Sequence, residues 1–167
     1  MPLEREDQMH LTAASGYADL GMWLEANEAL EEITPDVRHV PEVLRERVFI
    51  YRGLQKWEAM AAIAERLAEW NPDDPQWFVL LAYGTRRAQS LEAARSVLMR
   101  AERLHPKEGT IQFNLACYQA QLGKLEEAKA YLKRAIEIDP RFKLMSLEDP
   151  DLEPIWAAMD KDLPRGA

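Results

Sequence analysis

Residues 109–142 read "GTIQFNLACYQAQLGKLEEAKAYLKRAIEIDPRF". Leu125, Ala128, Leu132, Ala135 and Ile138 recur at three- and four-residue spacings, one face of an α-helix. Pro140 cannot continue that helix and closes it. Gly123 stands where the preceding apolar segment must turn into it. The stretch therefore predicts two helices joined by a tight turn.

The same pattern lies 34 residues upstream. Leu81-Ala82 recurs as Leu115-Ala116, and Ala94, Leu98, Ala101 and Pro106 recur as Ala128, Leu132, Ala135 and Pro140. Stepping back by the same interval, Leu125 and Leu91 lead to Trp57 and Trp23, and Leu122 leads to Ala88, Leu54 and Leu20. Apolar character persists better than identity, as a packing code requires. In the third unit Asp74 and Pro75 suit a helix start, and Ser90 suits the cap of the helix carrying Leu91, Ala94, Val97, Leu98, Ala101 and Leu104. Short side chains at Ala82, Ala94 and Ala101 let paired helices approach closely.

A 34-residue helix–turn–helix period with a Leu-small pair, spaced small residues and a terminal proline resembles the tetratricopeptide repeat. The resemblance implies an all-α fold, a right-handed superhelical array of helix pairs. Four repeats are expected at residues 7–40, 41–74, 75–108 and 109–142, after an extension over 1–6. The first two are degenerate: Pro35 falls early in one, and Arg47 and Val48 replace the Leu-small pair in the other. The first hairpin is accordingly expected to be shorter or splayed. Residues 143–167 are expected to cap the array. Leu144, Met145 and Leu147 fit one short helix, and Asp151 fits the cap of another carrying Leu152, Ile155, Trp156 and Met159. The stretch after Leu163 is expected to be loose.

Arrays of this kind resemble interaction scaffolds lined, on an inner surface, by the first helix of each repeat. That facing would bring forward Leu11, Ser15 and Ala18, then Arg45, Phe49 and Arg52, then Gln76, Val79, Tyr83, Arg86 and Arg87, then Phe113, Asn114, Cys117 and Gln121. Arginines interleaved with aromatics suit a peptide or protein partner of acidic character. Equally, the arginines fit solvated side chains paired with Glu42 and Glu46. The family's Lys/Asn clamp for a chain-end carboxylate is not carried over, because Phe49 stands where an asparagine is wanted. Trp77, beside the packing residue Phe78, is expected to keep part of its ring exposed.

Composition narrows the remaining classes. A net charge of -8 without a basic run disfavours nucleic acid. The opening "MPLEREDQMH" lacks a signal-peptide core, and no stretch approaches a membrane span, so a cytoplasmic protein is expected. His10, His39 and His105 are far apart, no metal, phosphate-loop or serine-hydrolase motif occurs, and no cofactor is expected. The expectation is a non-catalytic binding module, a monomer or weak homodimer. A client-holding chaperone is the alternative within the same fold. A small enzyme using Cys117, the single cysteine, is the alternative from another class.

Overall fold

The computed structural model describes residues 2–162, with side chains described as far as Ala157. The side chain of Met159 and the stretch after Leu163 lie outside the described residues. The chain divides into two compact units, one ending at Ala88 and the next beginning at Gln89. The division falls inside the third 34-residue window. Among the described residues the regular structure is entirely helical, and no helix is long and apolar enough to cross a membrane.

The first unit contains α1 (Arg5–Asp19), α2 (Trp23–Glu31), α3 (Pro41–Gly53), α4 (Trp57–Trp70) and α5 (Pro75–Ala88). Successive helices pack in sequence order, α1 on α2, α3 on α4 and α4 on α5, with α3 also touching α1 and α2. Small side chains set these approaches. Ala14 and Ala26 are fully enclosed and join Leu30, Ile33, Val43 and Ile50 in one core. At Gly53 the ring of Trp23 covers the space a Cβ would need. A Cβ at Gly84 would lie 3.2 Å from the backbone of Ala61 and Trp57, so α4 and α5 meet nearly backbone to backbone.

Helix ends follow the local chemistry. Pro41 and Pro75 open α3 and α5, where a missing N–H costs nothing. Asp74 Oδ1 accepts from the Gln76 amide at 3.0 Å. Helix α2 is only nine residues long, and a 3-10 turn over Pro35–Val37 follows it. The early Pro35 thus shortens the first hairpin, while its core remains closed. Asp7 Oδ1 accepts from the Thr34 amide at 2.8 Å, tying α1 to that turn. The hydrogen bond holds the Asp7 carboxyl below its ordinary range.

Arg47, at the place of a repeat leucine, is buried without being an error of packing. Its guanidinium donates to Glu31 Oε1 at 2.6 Å and to the Tyr51 hydroxyl at 3.2 Å. Arg38 binds the other oxygen of Glu31 at 2.8 Å. The hydrogen bond from Arg47 holds the Glu31 carboxyl low.

The second unit contains α6 (Leu91–Leu104), α7 (Gly109–Gln121), α8 (Leu125–Ile138), α9 (Arg141–Glu148) and α10 (Glu153–Asp162). Ser90 Oγ caps α6 by accepting from the Ala93 amide at 3.1 Å. Ala94, Leu98 and Ala101 of α6, and Ala128, Leu132 and Ala135 of α8, are buried as the period predicts, whereas Leu104 and Ile138, the last apolar residues of those faces, are exposed where each helix ends. Helix α7 packs on both neighbours and is enclosed on most of its circumference, so it also buries Gln112 and Gln119. Each amide finds a carboxylate: Gln112 donates to Glu102 at 3.1 Å, and Gln119 to Glu127 at 2.7 Å.

The chain after Pro140 turns back. Phe142 on α9 stacks on Phe113 of α7, ring centres 5.1 Å apart, and its ring fills the space beside Gly109. A 3-10 turn over Pro150–Leu152 then lies against α7, and α10 packs on α7 and α8. The cap of this turn is Asp149, not Asp151: its Oδ1 accepts from the Asp151 amide at 2.9 Å, and α10 proper begins two residues later. Leu152 and Ile155 are fully buried, and the Trp156 indole donates to the Ser146 carbonyl at 2.8 Å. Leu144, Met145 and Leu147 point away from this core and are exposed.

Candidate functional site

In the first unit, Tyr83 on α5 lies between two guanidinium groups. The Cζ of Arg87 is 3.5 Å from its ring centre, and that of Arg52, on α3, is 5.0 Å. The spacing of Tyr83 and Arg87, four residues apart on one helix, places the second directly over the first. Arg87 Nη1 also donates to the Tyr83 carbonyl at 3.2 Å, and its Cζ lies 5.1 Å from the Trp57 ring centre. Trp57, at the start of α4, presents an edge to Tyr83 at 5.7 Å. Each such cation–ring contact is worth about 0.5–1 kcal/mol at an exposed site, enough to restrain a side chain without neutralising it.

No ion pair forms at Arg45, Arg52 or Arg87 among the described residues. None of these three pairs with Glu42 or Glu46 among the described residues. The Glu46 carboxylate instead accepts from Ser15 Oγ at 2.8 Å. Arg38 and Arg47, by contrast, both pair with Glu31 between α2 and α3. Arg52 and Arg87 thus present positive charge held on an aromatic frame with most N–H donors unused, and Arg45 is exposed on α3.

Phe49 and Val79 are half-buried on the same two helices, and Gln76 is exposed at the start of α5. Arg86 is half-buried. Trp77 is not exposed: only 4% of it reaches solvent, and Phe49 leans on it at 6.5 Å with a 55° tilt. Sequence reasoning placed Trp77 beside Phe78 on the helix but could not supply the ring from α3 that covers it. Its Nε1 is buried without an acceptor. Trp57 was missed as a neighbour of the site because its repeat position marks it as packing; its partner Arg87 is 30 residues away.

The four residues assigned to the groove from α7 are differently placed. Phe113 lies under Phe142, and Cys117, 3% exposed, has its Sγ 3.8 Å from Asp149 Oδ2. Gln121 Nε2 donates to the Asp151 carbonyl at 2.9 Å, and Asn114 is half-buried. The chain's own residues 142–152 therefore cover this face. Phe113 and Cys117 do not line an open groove, because α9 and the 3-10 turn fill the space in front of them. Cys117, Asp149 and Asp151 bring a thiol and two carboxylates within 4.8 Å of one another. Asp149 is committed there to the turn cap and to Cys117. A nucleophilic cysteine needs an accessible, electropositive setting, and a buried thiol facing a carboxylate has neither.

Residues 110–142 match the model of the tetratricopeptide repeat family. No curated protein sequence matches the chain. Among solved structures, the MamA RS-1 ArsTM double mutant superposes with a TM-score of 0.72 at 14% identity, over 83% of this chain and 78% of that one. YrrB, described as a tetratricopeptide-repeat protein with an unusual peptide-binding site, gives 0.71 at 17% identity, over 86% and 75%. The thermophilic repeat protein TTC0263 of Thermus thermophilus gives 0.66 at 21% identity, over 92% and 82%. At these identities the likeness is one of fold.

Proposed function

We propose that this chain, which matches the tetratricopeptide repeat at residues 110–142 and shares its fold with proteins of that kind, acts without catalysis, binding a partner protein or peptide at the arginine–aromatic face of α3 and α5. The fold supports a protein-interaction module in general, and the face supplies the particular reading. One observation carries it: Tyr83 is held between Arg52 and Arg87, and neither guanidinium meets a carboxylate of its own chain among the described residues. Restrained arginines lose little side-chain freedom when a ligand arrives, so more of the contact energy appears as affinity. Phe49 and Val79 add half-buried apolar surface on the same helices. The peptide-binding site named for YrrB shows that this fold can carry such a function.

The test is capture from lysate of the source cell with the wild-type chain and with a variant carrying Arg45→Ala, Arg52→Ala and Arg87→Ala. Bound proteins should be specific and should fall at least about tenfold with the variant, as losing two or more charge-assisted hydrogen bonds implies. Circular dichroism controls for folding. An unchanged set of bound proteins would remove this face from the function.

A further inference from the structure

The second unit contains a worked example of what such an inner helix face receives. On α7, the acidic stretch Glu148-Asp149-Pro150-Asp151-Leu152 lies across the face, meeting Cys117 through an Asp149 carboxylate oxygen and Gln121 through the Asp151 carbonyl. Leu152 anchors the stretch as a fully buried side chain. Cys117 and Gln121 hold the places that Tyr83 and Arg87 hold in the preceding repeat, 34 residues earlier. At α7 the acidic stretch is met by a thiol and a neutral amide. At α5 the same two places carry the Tyr83 ring and Arg87, with Arg52 as a second cation on the ring.

We propose that the face of α3 and α5 around Tyr83 receives a short acidic segment of the Asp-x-Asp-Leu kind from a partner, in the register that residues 149–152 take on α7. This rests on the reading of that face as a binding surface and specifies the ligand's chemistry. In the shared register, the first carboxylate comes to the Tyr83 position, between Arg52 and Arg87. The second acidic residue comes to Arg87, which spends one N–H on the Tyr83 carbonyl and keeps the rest of its fork. Charge favours the fit twice: the face is locally cationic, and the segment carries four carboxylates between Glu148 and Glu153. The chain's own copy of the segment is engaged on α7, so the α3–α5 face is left for an incoming one.

The probe is a fluorescent peptide of residues 146–157, SLEDPDLEPIWA, blocked at both ends and titrated against the full chain by anisotropy. Saturable binding is expected. It should weaken about tenfold or more when both aspartates of the peptide are replaced by asparagine, and similarly in the chain variant Arg52→Ala with Arg87→Ala. Affinity should fall as salt is raised, and a scrambled peptide of the same composition should bind more weakly. The proposal is overturned if binding is absent, or if it ignores the peptide's aspartates, the two arginines or the order of residues. Insensitivity to the arginines would mean that the peptide had instead exchanged with the segment on α7. If the peptide fails while lysate capture still depends on the arginines, the face binds a partner of other chemistry; if both fail, the face is not a binding surface.

Discussion

Leu152→Ala tests whether the C-terminal stretch is a separable cover over α7. Leu152 is fully buried and, with Ile155, is one of two apolar anchors between Asp149 and Ala157 that are so enclosed. Truncating a wholly enclosed leucine costs about 2.7–5 kcal/mol in a rigid core, and a short segment can settle into part of the gap, so about 2–3 kcal/mol is expected here. If that cost falls on local opening, the open population rises about 30- to 150-fold. Cys117 reports it directly, because its Sγ faces Asp149 and only 3% of the residue is exposed. Under native conditions with fast reclosing, the thiol-labelling rate follows the opening equilibrium. The variant should therefore label about 30- to 150-fold faster while its far-ultraviolet helicity stays near wild type. Leu144→Ala, on the exposed side of α9, serves as the control and should change the rate less than about twofold. A labelling rate unmoved by Leu152→Ala would refute the assignment of the stretch as the cover. So would a rate that rises only with global unfolding.

Two glycines should respond with opposite sign. Gly53→Ala drives a Cβ into the Trp23 ring and should lower stability by about 1–3 kcal/mol or more, read as a drop in Tm. Gly16→Ala, in the middle of α1 with nothing near the new methyl group, should raise stability by about 0.5–1 kcal/mol. Acid should weaken the first unit. Asp7 and Glu31 both have folded carboxyls held below their ordinary values, one by the Thr34 amide and the other by Arg47. Their contribution is therefore present above the unfolded-state values, near pH 4, and is lost as pH falls through them toward the folded values. Urea midpoints measured from pH 7 down to pH 2.5 should fall less steeply for Asp7→Ala than for the wild type, and an unchanged slope would contradict the assignment.

What the sequence made legible was local. Helix starts at Asp74-Pro75 and Ser90, the close at Pro140 and the buried faces of α6 and α8 depend on neighbours within four residues, and each occurs where the spacing places it. The shared place of Ser15, Phe49, Tyr83 and Cys117 in the 34-residue period was legible too, but their exposure was not. The first three are half-buried and the fourth is buried, and the difference is made by Asp149, 32 residues further along the chain. No periodicity announces that a short helix will be followed by a reversal, because the turn at Asp149-Pro150 looks the same whether the chain continues outward or folds back. Arg47 shows the converse. It breaks the Leu-small pair in letters, but a long side chain with an apolar stem can fill the same core position while its head reaches Glu31. Trp77 was misjudged for the same non-local reason, since Phe49 covers it from another helix.

Gly21, Gln55 and Gly123 all turn with positive φ, at 71°, 57° and 77°, and they occupy the same place in the 34-residue period. Glutamine in that conformation costs about 1 kcal/mol that glycine does not incur, and Gln89, at the same place in the third repeat, turns without it. A repeat thus keeps its helix pair after its letters, and in the third repeat its turn angle, have drifted. That accounts for a family model that recognises only residues 110–142 beside folds that superpose over more than four-fifths of the chain. In this protein, the pairing of helices is a more durable record of kinship between repeats than the letters or the turn angles.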